Sequence, residues 1–159
     1  MAVRILIADD HEVVRQGIRT ILSARPDWEI CGEAVNGHKA VTLAEELHPD
    51  AIIMDITMPV MSGLEAARLL TKNKASAPIL IFTMHESKSL AESVKETGAR
   101  GFVFKSRAAR DLIHALEVLL NGGSYFGPET DKGSPASETP NRNISLLRAL
   151  DLIRSLVFA

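Results

Sequence analysis

The residues best suited to chemistry in this 159-residue chain are acids, a hydroxyl and a lysine, each placed directly after a short apolar segment. They are Asp9 and Asp10, then Asp55, then Thr83, and last Lys105. Carboxylates repel one another, so a fold that collects several of them commonly does so to bind a divalent cation. Oxygen ligands favour Mg²⁺ over zinc or copper. A carboxylate beside such a cation, with an ammonium and a hydroxyl nearby, is suited to accept a phosphoryl group.

Each of these residues also has an ordinary structural interpretation. An aspartate at the end of a strand is commonly a turn residue or a helix N-cap, so Asp9 and Asp10 could simply cap a helix. Thr83 could be a β-branched strand residue, and Lys105 could be a surface charge. The functional interpretation depends on a suitable group at every one of these strand ends, which independent causes would rarely produce.

The segments that carry these residues alternate between short apolar runs and longer stretches with the 3.6-residue period of amphipathic helices. The apolar runs predict five strands: Val3–Ala8, Trp28–Ala34, Ala51–Met54, Ile79–Phe82 and Gly101–Phe104. Strands that are apolar on both faces and are each followed by a helix imply a parallel sheet covered on both sides, which is a doubly wound α/β fold. In such sheets ligands bind beyond the carboxyl ends of the strands, where the candidate residues lie.

Composition limits the other possibilities. Hydrophobic residues make up 46% of the chain, which allows one substantial core, and the length favours one domain with a short appendage. A net charge of −2 provides no general attraction for nucleic acid. The single cysteine, Cys31, excludes an intrachain disulfide framework. Without a secretory signal pattern or an apolar run of bilayer length, we expect a soluble cytoplasmic protein with no membrane partner.

The motifs around the candidate site resemble the receiver domain of bacterial response regulators, in the CheY-like superfamily. The matching segments are Ile5 to His11 with its acidic pair, Met54 to Pro59 with Gly63, Phe82-Thr83, and Gly101 to Ser106. The resemblance extends from residue 3 to about residue 121. It implies the (βα)5 flavodoxin-like receiver fold, with five parallel strands in the order 2-1-3-4-5.

The resemblance also implies a role for each matched residue of the site. Asp55 would be the phosphorylated aspartate, and Asp10 and Asp55 would bind Mg²⁺ directly. Asp9 would bind the ion directly or through water, and the backbone carbonyl of Thr57 would supply a further ligand. Lys105 would pair with the phosphoryl oxygens.

The switch implied by the resemblance uses Thr83 and Phe102. Thr83 would move toward the phosphoryl group, and the ring of Phe102 would turn into the space that Thr83 leaves. The alternative for Phe102 is a plain core phenylalanine. Two pocket-flanking residues are less typical of the family: Met84 stands where a small residue is usual and could narrow access to the site, and His85 lies where residues tune the approach of water.

The C-terminal part resembles the junction in LuxR/NarL-type regulators, where a receiver leads through a linker to a DNA-binding helix-turn-helix. We expect a receiver domain over residues 1–122, a flexible linker over 123–143, and a short amphipathic helix over 144–159. A LuxR-type output domain needs roughly 60 residues, so none is recognisable in this chain. The terminal helix could dock on the receiver, pair with a partner, or be the remnant of a truncated or altered output region.

The function implied is that of a two-component response regulator, a phosphoacceptor in signalling rather than an enzyme. A sensor histidine kinase would donate the phosphoryl group, phosphorylation would favour a homodimer, and DNA would be contacted only through an output domain. One alternative is a stand-alone or truncated receiver that acts through protein contacts, and another is a degenerate receiver that acts as a scaffold. An aspartyl-phosphate phosphohydrolase is disfavoured because such enzymes carry an acid where this chain has Thr57. Nucleotide binding is disfavoured because no glycine-rich loop follows the first strand.

Overall fold

The computed structural model describes residues 2–84 and 86–127. These residues form strands and helices that alternate along the chain, with one 3-10 turn at Lys105–Arg107. The strands are β1 (Val3–Ala8), β2 (Trp28–Ala34), β3 (Ala51–Asp55), β4 (Ile79–Thr83), β5 (Gly101–Phe104) and β6 (Tyr125–Phe126). The helices are α1 (Glu12–Leu22), α2 (Gly37–Leu47), α3 (Gly63–Lys72), α4 (Leu90–Glu96) and α5 (Ala108–Leu120). The five predicted strands are all present, and two of them run one residue further, to Asp55 and Thr83.

The strands form one parallel sheet in the order β2-β1-β3-β4-β5-β6. The predicted α/β class and the predicted order 2-1-3-4-5 are confirmed, and β6 adds a short sixth strand at the edge. The register aligns the carboxyl ends of the inner strands, because Ala8 pairs with Met54, Asp55 pairs with Phe82, and Thr83 pairs with Phe104. The residues that follow β1, β3 and β5 therefore start at nearly the same level of the sheet.

The two faces of the sheet pack against different helices, because side chains alternate along each strand. One core lies against α1 and α5, and the other lies against α2, α3 and α4. The first core receives Ile5, Ile7, Ile53, Leu80, Phe82 and Val103 from the sheet, and the second receives Leu6, Ala8, Ile52, Met54, Ile79, Ile81 and Phe102. Asp9, Asp55 and Lys105 continue the alternation of the first set, so all three side chains are directed to the α1 and α5 side.

The core against α1 and α5 holds the charged side chains Asp9, Asp55 and Lys105 in place. Each fully buried Ile or Leu side chain contributes about 2 kcal/mol by leaving water. Ile5, Ile7, Leu80 and Phe82 are fully buried in the strands that lead to the site. Their burial fixes the strand ends, and this offsets the cost of bringing several charged groups together.

The short strand β6 lies in the segment that the sequence predicted to be linker. The Tyr125 N–H donates to the Arg100 carbonyl at 2.9 Å, and Tyr125 is buried. Phe126 pairs with Phe102 in the parallel ladder. The Gly-Gly pair before this strand predicts a break, and the structure shows that the chain after the break returns to the open edge of β5, where two aromatic side chains can be covered. Residues 128–159, with most of the predicted linker and all of the predicted terminal helix, lie outside the described residues.

Among residues 2–84 and 86–127, the helices are all too short or too polar to cross a membrane.

Candidate functional site

Lys105 joins two of the three candidate acids at the carboxyl edge of the sheet. Its Nζ lies 2.8 Å from Oδ2 of Asp9 and 3.3 Å from Oδ1 of Asp55. Asp9 follows β1, Asp55 ends β3, and Lys105 opens the 3-10 turn after β5. In the sheet β1 lies beside β3, and β4 separates β3 from β5, so the parallel order brings together groups that are 96 residues apart in the chain.

These three charged side chains are almost fully withdrawn from water. Asp9 is 0% exposed, Lys105 is 4% exposed and Asp55 is 5% exposed. Buried charges of this kind are tolerated only when they are paired and hydrogen-bonded. Two carboxylates share one ammonium here, so one negative charge of the group is not balanced by Lys105. The charge balance of the cluster therefore favours the binding of a further cation.

Burial raises the pKa of the Asp55 carboxyl from 3.8 to about 6. The ammonium of Lys105 works against this rise, and the negative charge of Asp9 adds to it. The burial effect is larger than the attraction of Lys105, because a carboxylate in the sheet edge loses most of its hydration. At neutral pH Asp55 is still largely ionised, but its charge is poorly solvated.

Asp10 and His11 complete an acidic cluster on the solvent side of Asp9. Ligand atoms of Asp9, Asp10, His11 and Asp55 all lie within 4.8 Å of one another. The His11 Nδ1 lies 3.1 Å from Oδ1 of Asp10 and 3.3 Å from Oδ1 of Asp9. The Asp10 side chain is 30% exposed, so this part of the cluster is open to an incoming ion.

A cavity of about 170 Å³ opens beside this cluster. It is lined by Asp10, His11, Val14, Asp55, Thr57, Thr83, Met84 and Lys105. The structure thus brings six of the sequence-predicted site residues to one cavity, with Asp9 buried behind it. Met84 is half-exposed at the cavity wall, where its bulk was expected. A larger cavity of about 700 Å³ lies at the opposite ends of the strands, near Val3, Ile79 and Gly122, and has no such cluster of acids.

Residues 5–117 match the family described as the response regulator receiver domain. The chain belongs to this family. The receiver is 37% identical over 127 residues to the transcriptional regulatory protein DegU of Brevibacillus brevis, a match that covers 80% of this chain and 54% of that protein. It is 40% identical over 126 residues to the transcriptional regulatory protein YdfI of Bacillus subtilis, covering 79% of this chain and 59% of that protein. The chain thus spans little more than half the length of these curated relatives.

Solved structures agree with this assignment. A LuxR-family two-component response regulator from Aurantimonas sp. SI85-9A1 is 32% identical to this chain with a TM-score of 0.76, covering 98% of this chain and 99% of that chain. The response regulator domain of Thermotoga maritima CheB is 30% identical with a TM-score of 0.70, covering 76% of this chain and 98% of that chain. The receiver therefore has the CheY-like fold and a signalling rather than a catalytic role, and the acidic pocket is where receivers bind Mg²⁺.

The pair of residues that the sequence suggested as a switch is divided between the cavity and the core of the receiver. Thr83 lines the cavity, whereas Phe102 is buried in the core against α2, α3 and α4. The ring centroid of Phe102 lies 5.4 Å from that of Phe104 and 6.1 Å from that of Phe126. The ring thus already lies inward and touches the short edge strand. His85 lies outside the described residues.

Sequence reasoning missed two residues of the receiver that contact the acids. His11 is exposed, yet it lines the cavity and contacts Asp9 and Asp10. Its position directly after the acidic pair was the available signal. Arg15 donates a hydrogen bond to the backbone of Asp9. The signal there was a charged residue on the apolar face of α1, beside Val14.

Proposed function

We propose that this receiver is a phosphoacceptor switch in which Asp55 accepts a phosphoryl group from a sensor histidine kinase in a Mg²⁺-dependent reaction. The observation that carries the proposal is the placement of Asp55, which lines an open cavity with the Lys105 ammonium 3.3 Å away. Its pKa of about 6 leaves the carboxylate ionised, and therefore nucleophilic, at neutral pH.

The acids around Asp55 fit a magnesium ion. Mg²⁺ prefers oxygen ligands, and three carboxylates meet here within 4.8 Å. In the proposal Asp10 and Asp55 bind the ion directly, Asp9 binds it directly or through water, and the Thr57 carbonyl adds a further ligand. The repulsion by Asp9, which helps to raise the pKa of Asp55, is what a cation would relieve. When bound, Mg²⁺ supplies positive charge that neutralises the phosphoryl oxygens.

In this reaction the protein forms one new covalent bond, and the other side chains of the site position and neutralise the phosphoryl group. A carboxylate oxygen of Asp55 forms a bond to phosphorus as the bond between phosphorus and the kinase histidine nitrogen breaks, and that nitrogen keeps the electron pair. The Lys105 ammonium, which contacts Asp55 from a buried position, pairs with the phosphoryl oxygens. Thr83 lines the same cavity, and its hydroxyl donates a hydrogen bond to one of the phosphoryl oxygens.

The conformational response is a shift between two states in the proposal. The acyl phosphate attracts Thr83, and the inward position of Phe102 is favoured when Thr83 has moved. Thr83 and Phe104 are paired in the ladder, and Phe104 packs against the Phe102 ring. A displacement of Thr83 would therefore act on Phe104, its partner in the ladder, and through Phe104 on the ring of Phe102.

Exposed apolar side chains at the cavity end of the sheet support docking of a protein donor. In the described part of the chain, the large apolar residues that are exposed are Val13, Val35, Val60 and Met84. They follow β1, β2, β3 and β4 respectively, so all four lie at the end where Asp55 lies. Apolar groups around a polar pocket are typical of a protein-binding surface.

The output of the switch belongs to the same proposal. The relatives are named as transcriptional regulators. We therefore propose a cytoplasmic regulator that forms a homodimer on phosphorylation and that contacts DNA only through an output domain. Within this chain the proposal assigns the receiver to residues 1–122, with β6 completing its sheet, a linker to the rest of 123–143 and a helical tail to 144–159. A receiver that acts through protein contacts alone is the alternative.

The test is phosphorylation of the full chain by acetyl phosphate and Mg²⁺, followed by intact mass spectrometry. We expect one added phosphoryl group in the wild type and in the control Asp27→Asn, and none in Asp55→Asn. Modification that persists in Asp55→Asn would remove Asp55 from its role. Light scattering with and without beryllofluoride then reports whether the acyl-phosphate mimic produces a dimer.

A further inference from the structure

Asp9 is held at every polar group by a different part of the fold. Its N–H donates to the Ala34 carbonyl at 3.0 Å, and its Oδ1 accepts from the His11 N–H at 2.9 Å. Its Oδ2 accepts from Lys105 Nζ at 2.8 Å. Its backbone carbonyl accepts from Arg15 Nη1 at 2.8 Å. The first three bonds come from β2, the turn after β1 and the turn after β5, and the fourth comes from the side chain of an arginine in α1.

Arg15 is a buried arginine, 8% exposed, on the core-facing side of α1. Its Nε donates to Oε1 of Glu33 at 3.0 Å, and its Nη2 donates to Glu12. A guanidinium is planar and carries its donors in a rigid fork, so the bonds to Glu33 and Glu12 together set the direction of its third edge. That edge points at the Asp9 carbonyl. Arg15 therefore ties α1 and β2 to the turn that carries the acids.

The carbonyl that Arg15 binds belongs to the peptide bond between Asp9 and Asp10. Because a peptide unit is planar, a bond to this oxygen sets the orientation of the whole unit, including the start of Asp10. The side chain of Asp9, at the start of this unit, accepts the hydrogen bond from Lys105. A single hydrogen bond from Arg15 thus acts on two acids and, through Asp9, on the lysine.

We propose that Arg15 is a positioning residue of the phosphoacceptor site, which holds the Asp9–Asp10 peptide so that both carboxylates are preset for the metal ion. Arg15 contacts neither Asp55 nor the cavity, and it acts only through Asp9. The inference rests on the function proposed above, because it assigns a task within the same site. In this assignment Arg15 controls the affinity of the site for the metal ion and leaves the intrinsic reactivity of Asp55 unchanged.

The chain contains a matched control in Arg19, one helical turn further along α1. Arg19 bonds the same two glutamates, with Nη1 to Glu33 and Nη2 to Oε1 of Glu12 at 3.1 Å. Within residues 2–84 and 86–127, Arg19 makes no hydrogen bond to Asp9. Substitution of either arginine by methionine removes ion pairs to Glu12 and Glu33, and only the substitution at Arg15 removes the bond to the Asp9 carbonyl.

The experiment compares the full-length wild type, Arg15→Met, Arg15→Lys and Arg19→Met. Mg²⁺ affinity is measured by titration calorimetry, and the rate of phosphorylation by acetyl phosphate is measured as a function of Mg²⁺ concentration. In Arg15→Met we expect Mg²⁺ affinity to fall at least about tenfold, the usual effect of losing a group that orients a metal ligand. The rate at saturating Mg²⁺ should stay within about twofold of the wild-type rate, since the nucleophile is untouched. Arg15→Lys should recover part of the affinity, and Arg19→Met should bind Mg²⁺ like the wild type.

Wild-type Mg²⁺ affinity in Arg15→Met, or an equal loss in Arg15→Met and Arg19→Met, would overturn the assignment. If Arg15→Met does not fold, nitrogen-15 NMR of the wild-type guanidinium groups decides. We expect the Arg15 resonances to shift on addition of Mg²⁺ and those of Arg19 to stay in place, and unshifted Arg15 resonances would count against the proposal. A wild type that neither binds Mg²⁺ nor takes a phosphoryl group would refute the proposed function itself. A wild type that does both, with Arg15→Met behaving identically, would refute only the role given to Arg15.

Discussion

Gly63 lies so close to Asp55 that a β-carbon added to it would be 1.8 Å from the Asp55 carbonyl oxygen. The Gly63 N–H also donates to the Ile56 carbonyl at 2.8 Å. Helix α3 therefore begins directly against the strand end that carries the proposed nucleophile. A side chain at this position would push the helix and the loop away from Asp55.

Gly63→Ala is expected to destabilise the protein by about 3 kcal/mol, because the contact is with backbone that cannot move aside. The measurement is urea unfolding monitored by circular dichroism. Gly122→Ala is the control: Gly122 has a φ of +86° but no atom within 4 Å of an added β-carbon, so only the backbone cost of about 1 kcal/mol applies. Equal losses in the two variants would show that the approach of Gly63 to Asp55 does not matter.

Asp55→Asn is expected to stabilise the metal-free protein at pH 7.5 and to have little effect near pH 3.5. The folded protein holds a proton on Asp55 up to a pKa of about 6, whereas the unfolded chain releases it near 3.8, so stability falls as pH rises between these values. Above about pH 6 the full penalty is present, and it amounts to roughly 3 kcal/mol. Removing the carboxylate removes the penalty.

The check on this second prediction is chemical unfolding of wild type and Asp55→Asn in EDTA across the pH range. Asp27→Asn, whose carboxylate pairs with Arg25 at the other end of the sheet, serves as the comparison. A difference between wild type and Asp55→Asn that is the same at pH 3.5 and pH 7.5 would mean that ionisation of Asp55 is not its source.

Lys105→Ala is expected to leave Mg²⁺ binding intact and to weaken beryllofluoride binding at least about tenfold, because in the proposed function the lysine pairs with the phosphoryl group rather than with the metal. Removal of its positive charge also takes away the attraction that lowers the pKa of Asp55. Calorimetric titrations with Mg²⁺ and then with beryllofluoride separate these effects. An equal loss of affinity for both ligands would contradict the role given to Lys105.

Gly101→Ala is expected to detach the edge strand β6 from the sheet. A β-carbon on Gly101 would lie 2.0 Å from the Tyr125 carbonyl oxygen, so β5 and β6 could not keep their present distance. Hydrogen exchange at the Tyr125 amide, which bonds to the Arg100 carbonyl, should become faster, while Mg²⁺ affinity should remain that of the wild type. Unchanged protection of that amide would show that β6 tolerates the added methyl group.

Much of the architecture was predictable from local patterns. Buried strands such as β3 are continuous apolar runs, here from Ala51 to Met54, and helices such as α5 repeat their apolar residues at helical spacing. The strand-end acids were predictable for the same reason, since Asp9 and Asp55 interrupt apolar runs. Strand β6 was not, because Tyr125–Phe126 is too short to show a period and follows two glycines.

The sequence by itself determined the fold class and the set of acids, because these depend on the pattern of apolar and polar residues along the chain, and the strand order was implied by the resemblance to receiver domains. Only the tertiary structure decided how far each charge is withdrawn from water and which group touches which. The contact of Lys105 with Asp9 spans 96 residues, and that of Arg15 with the Asp9 carbonyl depends on how α1 packs against β2. Burial and long-range contact depend on three-dimensional packing, and no spacing within a single segment encodes them.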